Sequence, residues 1–235
     1  MTVVMPSSSA LKRSIGAKRG PVAHLVDSFG GRLVPVVVLA DAHRAEGLAE
    51  ALVAGGLPVA EVTFRTPAAA EAIRRMAEHP DLVVGAGTVV RAEQVDQAAD
   101  AGARFIVSPG LSRTVVARSR ERGIDVLPGV VTPSEIIAAL DLGIDTVKFF
   151  PAAQYGGVAT LKALASPFPD VRFVPTGGVS PADLTDYLSL PTVPAVGGSW
   201  MVRPDLVDAG DFATVTELTA QAVRAAASVP RGEQP

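Results

Sequence analysis

No cysteine occurs among the 235 residues, which excludes disulfides, thiolate nucleophiles, iron–sulfur clusters and thiolate zinc sites. Histidine is nearly absent as well. His24, His43 and His79 share no ligand-like spacing, so a metal is not expected. No window approaches the roughly 18 uninterrupted apolar residues of a membrane helix, because Gly, Pro or a charge interrupts every apolar segment. Neither sign of charge dominates: 21 basic and 24 acidic residues leave a formal net charge of −3, spread along the chain. Without a clustered basic face, nucleic acid is a disfavoured partner. Any chemistry must therefore use Lys, Arg, Asp, Glu, Ser, Thr, Tyr or the backbone.

What is present is enough chain for one sizeable core, with 48% hydrophobic residues. Residues 1–19 lack hydrophobic periodicity and carry Lys12, Arg13, Lys18 and Arg19 with no acid, which reads as a disordered basic tail. An organelle transit peptide is the alternative, against which stand the segment's shortness and weak amphipathicity. A single domain is expected over 20–228, followed by a flexible C-terminal tail at 229–235.

Within that domain short Val/Ile/Leu-rich runs alternate with Ala-rich helical patterns. Strands are predicted at Leu33–Leu39, Val59–Phe64, Leu82–Val84, Arg104–Val107, Ile124–Leu127, Thr146–Phe149, Val171–Val174 and Val193–Val196. Helices are predicted at Arg44–Ala54, Pro67–Glu78, Ala92–Ala101, Ser112–Arg122, Pro133–Leu142, Val158–Ala165 and Pro181–Leu188. Thr66-Pro67, Thr132-Pro133 and Ser180-Pro181 each place a hydroxyl cap before a proline, and Gly55, Gly102, Gly123 and Gly143 mark helix ends. Continuously apolar strands with crossover helices at this length fit a (β/α)8 TIM barrel, with a doubly wound open sheet as the alternative. The low aromatic content, 5%, together with abundant Gly and Ala, suits tight packing of helices on a barrel.

A barrel builds its active site at the C-terminal ends of its strands, so residues there that break the apolar rule are the candidates. Lysine is written only at positions 12, 18, 148 and 162, arginine supplying the other basic residues. Two of these lysines lie in the tail and Lys162 sits on a predicted helix among solvent-facing neighbours. Lys148 stands inside the apolar strand Asp-Thr-Val-Lys-Phe-Phe-Pro. Lysine, unlike arginine, can lose its proton when desolvated and attack a carbonyl to form a Schiff base, and Phe149 and Phe150 offer a desolvating wall. A buried, salt-bridged strand-end lysine without chemistry is the alternative.

Glu61 is the next exception, a carboxylate within Pro-Val-Ala-Glu-Val-Thr-Phe-Arg-Thr. The period of two places Val59, Glu61, Thr63 and Arg65 on one face, with Glu61 and Arg65 Cα atoms roughly 13 Å apart in an extended strand. An acid–base group and an anion fork could then share a cavity. Thr88 follows Gly85-Ala86-Gly87, small residues that permit close backbone approach to a ligand. Glycine pairs after the last two strands, Gly177-Gly178 and Gly197-Gly198 with Ser199, suit phosphate, since exposed N–H groups converge there in many barrels.

Seven segments carry a resemblance. Glu-Val-Thr-Phe-Arg-Thr (61–66), Val-Gly-Ala-Gly-Thr-Val (84–89), Ser-Pro-Gly (108–110), Pro-Gly-Val (128–130), Lys-Phe-Phe-Pro-Ala (148–152), Pro-Thr-Gly-Gly (175–178) and Gly-Gly-Ser-Trp (197–200) resemble, in order, the 2-dehydro-3-deoxy-phosphogluconate (KDPG) aldolases, a family that also takes in 4-hydroxy-2-oxoglutarate aldolase activity. The resemblance implies a (β/α)8 barrel, usually a homotrimer, acting as a cofactor-free, metal-independent, cytoplasmic class I aldolase of the Entner–Doudoroff pathway. It implies Lys148 as the Schiff-base lysine and Glu61 as the general acid/base. Arg65, Thr88 and Pro109 would form the pyruvate-carboxylate pocket, with Phe150 among the substrate-binding residues and Thr176 beside the aldehyde end. Gly177, Gly178, Gly198 and Ser199 would hold phosphate.

The implied partners are a phosphorylated 2-keto acid, pyruvate and glyceraldehyde 3-phosphate. The chain departs from some relatives at the end of the first strand, where they place an arginine and this sequence runs Val36 to Leu39 and then Ala40. Its basic leader before Pro21 is also longer than the family core needs. The competing expectations are 2-dehydro-3-deoxy-6-phosphogalactonate as substrate, a phosphate-binding barrel isomerase or decarboxylase using Lys148 only as a charge, and a catalytically silent binding barrel.

Overall fold

Every strand pairing in the computed structural model, which describes residues 32–230, is parallel. The strands are β1 (Leu33–Val37), β2 (Val59–Thr63), β3 (Val83–Gly87), β4 (Phe105–Val107), β5 (Asp125–Leu127), β6 (Gly129–Val130), β7 (Thr146–Phe149), β8 (Arg172–Pro175) and β9 (Val196–Gly198). They run β5-β4-β3-β2-β1-β9 in one ladder and β6-β7-β8 in a second. Pro128 alone separates β5 from β6. Lacking an N–H, it interrupts the ladder while its carbonyl still accepts from the Lys148 N–H at 2.8 Å, so β5 and β6 are two halves of one stave. On the other side Thr176 bridges Gly197, and the Phe173 N–H donates to the Thr192 carbonyl at 2.8 Å, joining β8 to β9. The ring closes on eight staves, and the chain folds as a (β/α)8 barrel.

Helices cover the outside because their apolar residues recur at helical spacing. The helix Ala69–Ala77 buries Ala72, Ile73 and Met76 and turns Arg74 outward. Fully buried side chains of this size stabilise by about 1.5–3 kcal/mol each. Phe105, Phe149, Phe173 and Tyr187 are the bulkiest of the fully buried side chains.

The helix Pro133–Asp141 starts as its sequence predicts. The Thr132 hydroxyl accepts from the Glu135 N–H, and the Glu135 carboxylate accepts from the Thr132 and Val131 N–H groups at 2.9 Å each. Partial burial works to raise the Glu135 pKa, yet these backbone bonds and the Thr132 hydroxyl outweigh it and hold the carboxyl below its ordinary value. A depressed carboxyl contributes stability above its unfolded pKa and loses it as pH falls through the folded value. Thr132→Ala is accordingly expected to cost about 1 kcal/mol at neutral pH. Urea unfolding near neutrality and again below pH 4 checks this, the deficit shrinking in acid.

Several boundaries differ from expectation. Thr66-Pro67 does not open a helix: the Thr66 hydroxyl donates to the Leu39 carbonyl at 2.5 Å, and the helix begins at Ala69 without a side-chain cap. Ser180-Pro181 likewise opens a turn, with Asp183 accepting from the Ser180 N–H at 2.7 Å, so that helix is only Leu184–Leu188. The glycines of Gly85-Ala86-Gly87 and Gly197-Gly198 lie inside β3 and β9 rather than after them. Two helices had no predicted counterpart, Pro204–Ala209 and Phe212–Ala227. The longer one carries its own signals, an Asp211 cap and buried Val215, Thr219, Ala222 and Ala226 at spacings of four, three and four. The expected tail at 1–19 and residues 231–235 of the expected C-terminal tail lie outside the described residues, as does His24.

Candidate active site

Lys148 enters the barrel from β7, in register with Gly129 of β6 and Val174 of β8. Strand alternation sends Thr146 and Lys148 to one face and Val147 and Phe149 to the other. Phe149 is thus no wall for the lysine, as the sequence reading had it. Phe150 is: the Lys148 Nζ lies 5.2 Å from its ring centroid, within cation–π range. Opposite, Glu61 projects from β2, paired in register with Val36 and Gly85. Its carboxylate accepts from the Lys148 Nζ at 3.1 Å through Oε1 and 3.5 Å through Oε2, with both side chains buried. Sequence positions 87 residues apart are thereby joined in a desolvated pair, where a proton can pass directly between nitrogen and oxygen.

A cavity of about 260 Å³ opens beside this lysine, lined by Arg65, Lys148, Phe150, Thr176, Gly177, Gly178, Gly198 and Ser199 among others. Eight of the eleven residues singled out from the sequence therefore converge on one cavity. Glu61 lies behind it, reaching Lys148 from below. Thr88 and Pro109 follow β3 and β4 at the same end of the barrel, half-buried and outside that lining. Thr88 holds φ 58°, a left-handed backbone that a β-branched residue rarely adopts. Observed strain of this kind costs about 1–3 kcal/mol and is concentrated at functional sites.

Arg65 arrives by a route that strand alternation did not foresee. β2 ends at Thr63, and the Arg65 N–H donates to the Thr63 carbonyl at 2.8 Å, so the chain has already turned. The 13 Å extended spacing does not apply, although the guanidinium still lines the cavity. Gly177 and Gly178 both have positive φ, 92° and 76°, and a Cβ on Gly178 would collide with Ala153. Glycine is required there twice over, by backbone and by space.

Sequence reasoning passed over Val36, Val38, Val179, Val202 and Pro204, which with Gly197 complete the lining. Val36, in β1, and Val38, just beyond its end, were legible as alternate residues of the predicted strand but were read only as part of an apolar run. Arg65 and Lys148 are the charged members of that lining. Among the described residues no cluster of His, Asp and Glu could hold a metal, and no helix is long and apolar enough to cross a membrane.

A closed parallel barrel whose strand ends gather a buried Lys–Glu pair, an arginine and glycine turns around one cavity defines a barrel enzyme acting on a small anionic molecule. The family described as "Aldolase: KDPG and KHG aldolase" matches residues 29–218. The KHG/KDPG aldolase of Escherichia coli K12 is 47% identical over 197 residues, covering 83% of this chain and 92% of that protein. The crystal structure of the 2-keto-3-deoxy-6-phosphogluconate aldolase of Zymomonas mobilis ZM4 with 3-phosphoglycerate is similar at TM-score 0.81 and 44% identity, over 89% of this chain and 98% of that one. The KDPG aldolase of Legionella pneumophila, solved with pyruvate captured as a covalent carbinolamine, is similar at TM-score 0.79 and 41% identity, over 81% and 93%. The chain belongs to the KDPG and KHG aldolase family, and it is a lyase.

Proposed function

We propose that the protein is a class I aldolase, metal-independent, that cleaves 2-dehydro-3-deoxy-6-phosphogluconate to pyruvate and glyceraldehyde 3-phosphate. The observation that carries this reading is the buried Lys148–Glu61 contact at 3.1 Å on the floor of a cavity that also holds an arginine. Captured pyruvate in the Legionella relative is in keeping with it. Localisation in the cytoplasm and assembly as a homotrimer belong to the same proposal.

Lys148 gives up a proton to Glu61, and its Nζ attacks the C2 ketone to form a carbinolamine. Glu61 returns that proton to the carbinolamine hydroxyl, which leaves as water, and the protonated imine that remains is an electron sink for the bond that must break. Glu61 takes the C4 hydroxyl proton, the C3–C4 bonding pair moves toward the imine, and the aldehyde departs. The resulting enamine takes that proton back at C3, and water activated by the freed Glu61 carboxylate hydrolyses the imine to release pyruvate and free the lysine. One carboxylate serves each proton movement because it stands within hydrogen-bond reach of the nitrogen throughout.

Arg65 holds the substrate C1 carboxylate, with Thr88 and Pro109 flanking it. Phe150 shields the imine nitrogen from water. Thr176, whose hydroxyl lies 3.4 Å from the Val174 carbonyl, faces the leaving aldehyde. The phosphate rests on the backbone of Gly177, Gly178, Gly198 and Ser199. Because the pyruvate half is common to both substrates, 4-hydroxy-2-oxoglutarate is expected as a second substrate, a reading in line with the double name of the Escherichia coli relative.

Incubation with pyruvate and sodium borohydride, followed by intact mass and peptide mapping, tests the reading. A reduced pyruvyl adduct on Lys148 is the expected result. An active, folded protein without an adduct would overturn it. Assays on the phosphogluconate and phosphogalactonate derivatives, which differ at C4, then decide the substrate. Arg65→Ala should raise KM about 10- to 100-fold through loss of a charge-assisted bond, with a smaller change in kcat, in steady-state cleavage assays.

A further inference from the structure

Glu61 and Lys148 stand on strands that are not neighbours, β2 lying between β1 and β3 and β7 between β6 and β8. Their side chains meet through the barrel interior, a space that inward residues ordinarily fill in layers. A 3.1 Å contact there requires other strands to leave the space vacant. β3 does this with Gly85 and Gly87, two alternate residues on one face, in register with Glu61 and Thr63. The volume beside Gly85 goes to the Phe105 ring, into which a Cβ at Gly85 would run. The volume beside Gly87 goes to Glu61. A Cβ at Gly87 would fall 2.6 Å from Glu61 Cγ and 2.8 Å from Cδ, and closer still to Oε1.

Backbone conformation does not account for this glycine, because Gly87 has no positive φ and any residue can adopt its geometry. Nor can Glu61 step aside. Its side chain is 3% exposed, and the next inward residue of β2, Thr63, is fully buried with its hydroxyl bonded to the Val37 carbonyl at 2.9 Å. The sequence suggested that Gly-Ala-Gly lets a backbone approach a ligand; the geometry assigns Gly87 a different task.

We propose that Gly87 is a positioning residue for the reaction: its missing side chain is the clearance that lets the Glu61 carboxylate reach Lys148. The proposal rests on the aldolase reading for its kinetic consequence and on the packing alone for its structural one. A methyl group at position 87 pushes the carboxylate off the lysine without touching the lysine, so imine formation survives while proton transfer suffers. Truncating Glu61 to alanine removes the Cγ, Cδ and Oε1 atoms that the added methyl would meet and so relieves the collision.

Wild type, Gly87→Ala, Glu61→Ala and the double variant form the test, read by steady-state cleavage, borohydride trapping of pyruvate and thermal melting. Gly87→Ala should lose about 100-fold in kcat, the scale of acid–base catalysis, with little change in KM and with pyruvate still trapped on Lys148. The double variant should exceed the product of the two single effects in kcat by about tenfold or more, a coupling that a glycine needed only for sheet packing would not produce. Additive effects, or Gly87→Ala with kcat within about threefold of wild type, overturn the proposal. If Gly87→Ala does not fold, the double variant must fold, and an insoluble double variant overturns it equally. Should wild type neither cleave the substrate nor trap pyruvate, the aldolase reading fails. The melting temperatures still decide Gly87: a double variant melting above Gly87→Ala upholds the clearance, and additive losses refute it.

Discussion

Lys148→Ala is expected to abolish pyruvate trapping and to lower kcat by about 10⁴-fold or more, because no other group in the cavity can form the imine that drains the breaking bond. Arg65, the other charged residue lining that cavity, has no free amine to offer. The variant should also melt lower, since Glu61 stays buried without its cation, a loss of about 3 kcal/mol for a broken buried pair. Lys148→Arg separates the two contributions. It keeps a positive charge beside Glu61 and cannot form an imine, so it should recover part of the stability and none of the activity. A Lys148→Arg protein that still turns over substrate would mean that the lysine acts only as a charge, as in a barrel isomerase or decarboxylase. Intact mass and a coupled assay for pyruvate release check both variants.

Glu61→Gln should lower kcat by about 10²- to 10⁴-fold, the span attributable to a positioned acid–base group. The amide keeps the size of the carboxylate and can still meet the Lys148 Nζ, but it neither accepts the C4 hydroxyl proton nor returns one. Trapping should still reach Lys148 at long incubation, more slowly than in wild type, because attack on the ketone also needs a proton acceptor. KM should change little, since Glu61 lies behind the cavity and does not hold the substrate carboxylate. Retention of wild-type kcat would remove Glu61 from the proton pathway and leave it a structural partner of the lysine. Single-turnover cleavage alongside the trapping rate distinguishes the two steps.

The two residues at the centre of the site were readable because each violates its surroundings. A lysine in Thr-Val-Lys-Phe-Phe and a glutamate in Val-Ala-Glu-Val break apolar strands, and a charge so placed is costly unless it is paired or used. Arg65 was found by flawed geometry: alternation carried it to the right face, whereas a turn after Thr63 actually delivers it. Helix starts separated in a similar way. Thr132 caps as expected, whereas Thr66 and Ser180 spend their hydrogen bonds on Leu39 and Asp183. The dipeptide alone cannot distinguish these uses, because the competing partner of Thr66 is an acceptor just past the end of β1, 27 residues away in sequence.

Local pattern was sufficient for the alternation of strand and helix, the count of staves and the list of exceptional residues at strand ends, since all of these follow from side-chain periodicity along a short stretch of chain. Closure of the ring through Pro128 and the Thr176–Gly197 bridge, the separation of Phe150 from Phe149, and the apolar flank of Val36 and Val38 depended on residues distant in sequence. So did the reason for glycine at position 87. Its own strand has no need of glycine there; the need comes from a carboxylate on β2 that must cross the barrel to a lysine on β7, and only the folded chain puts all three in the same space.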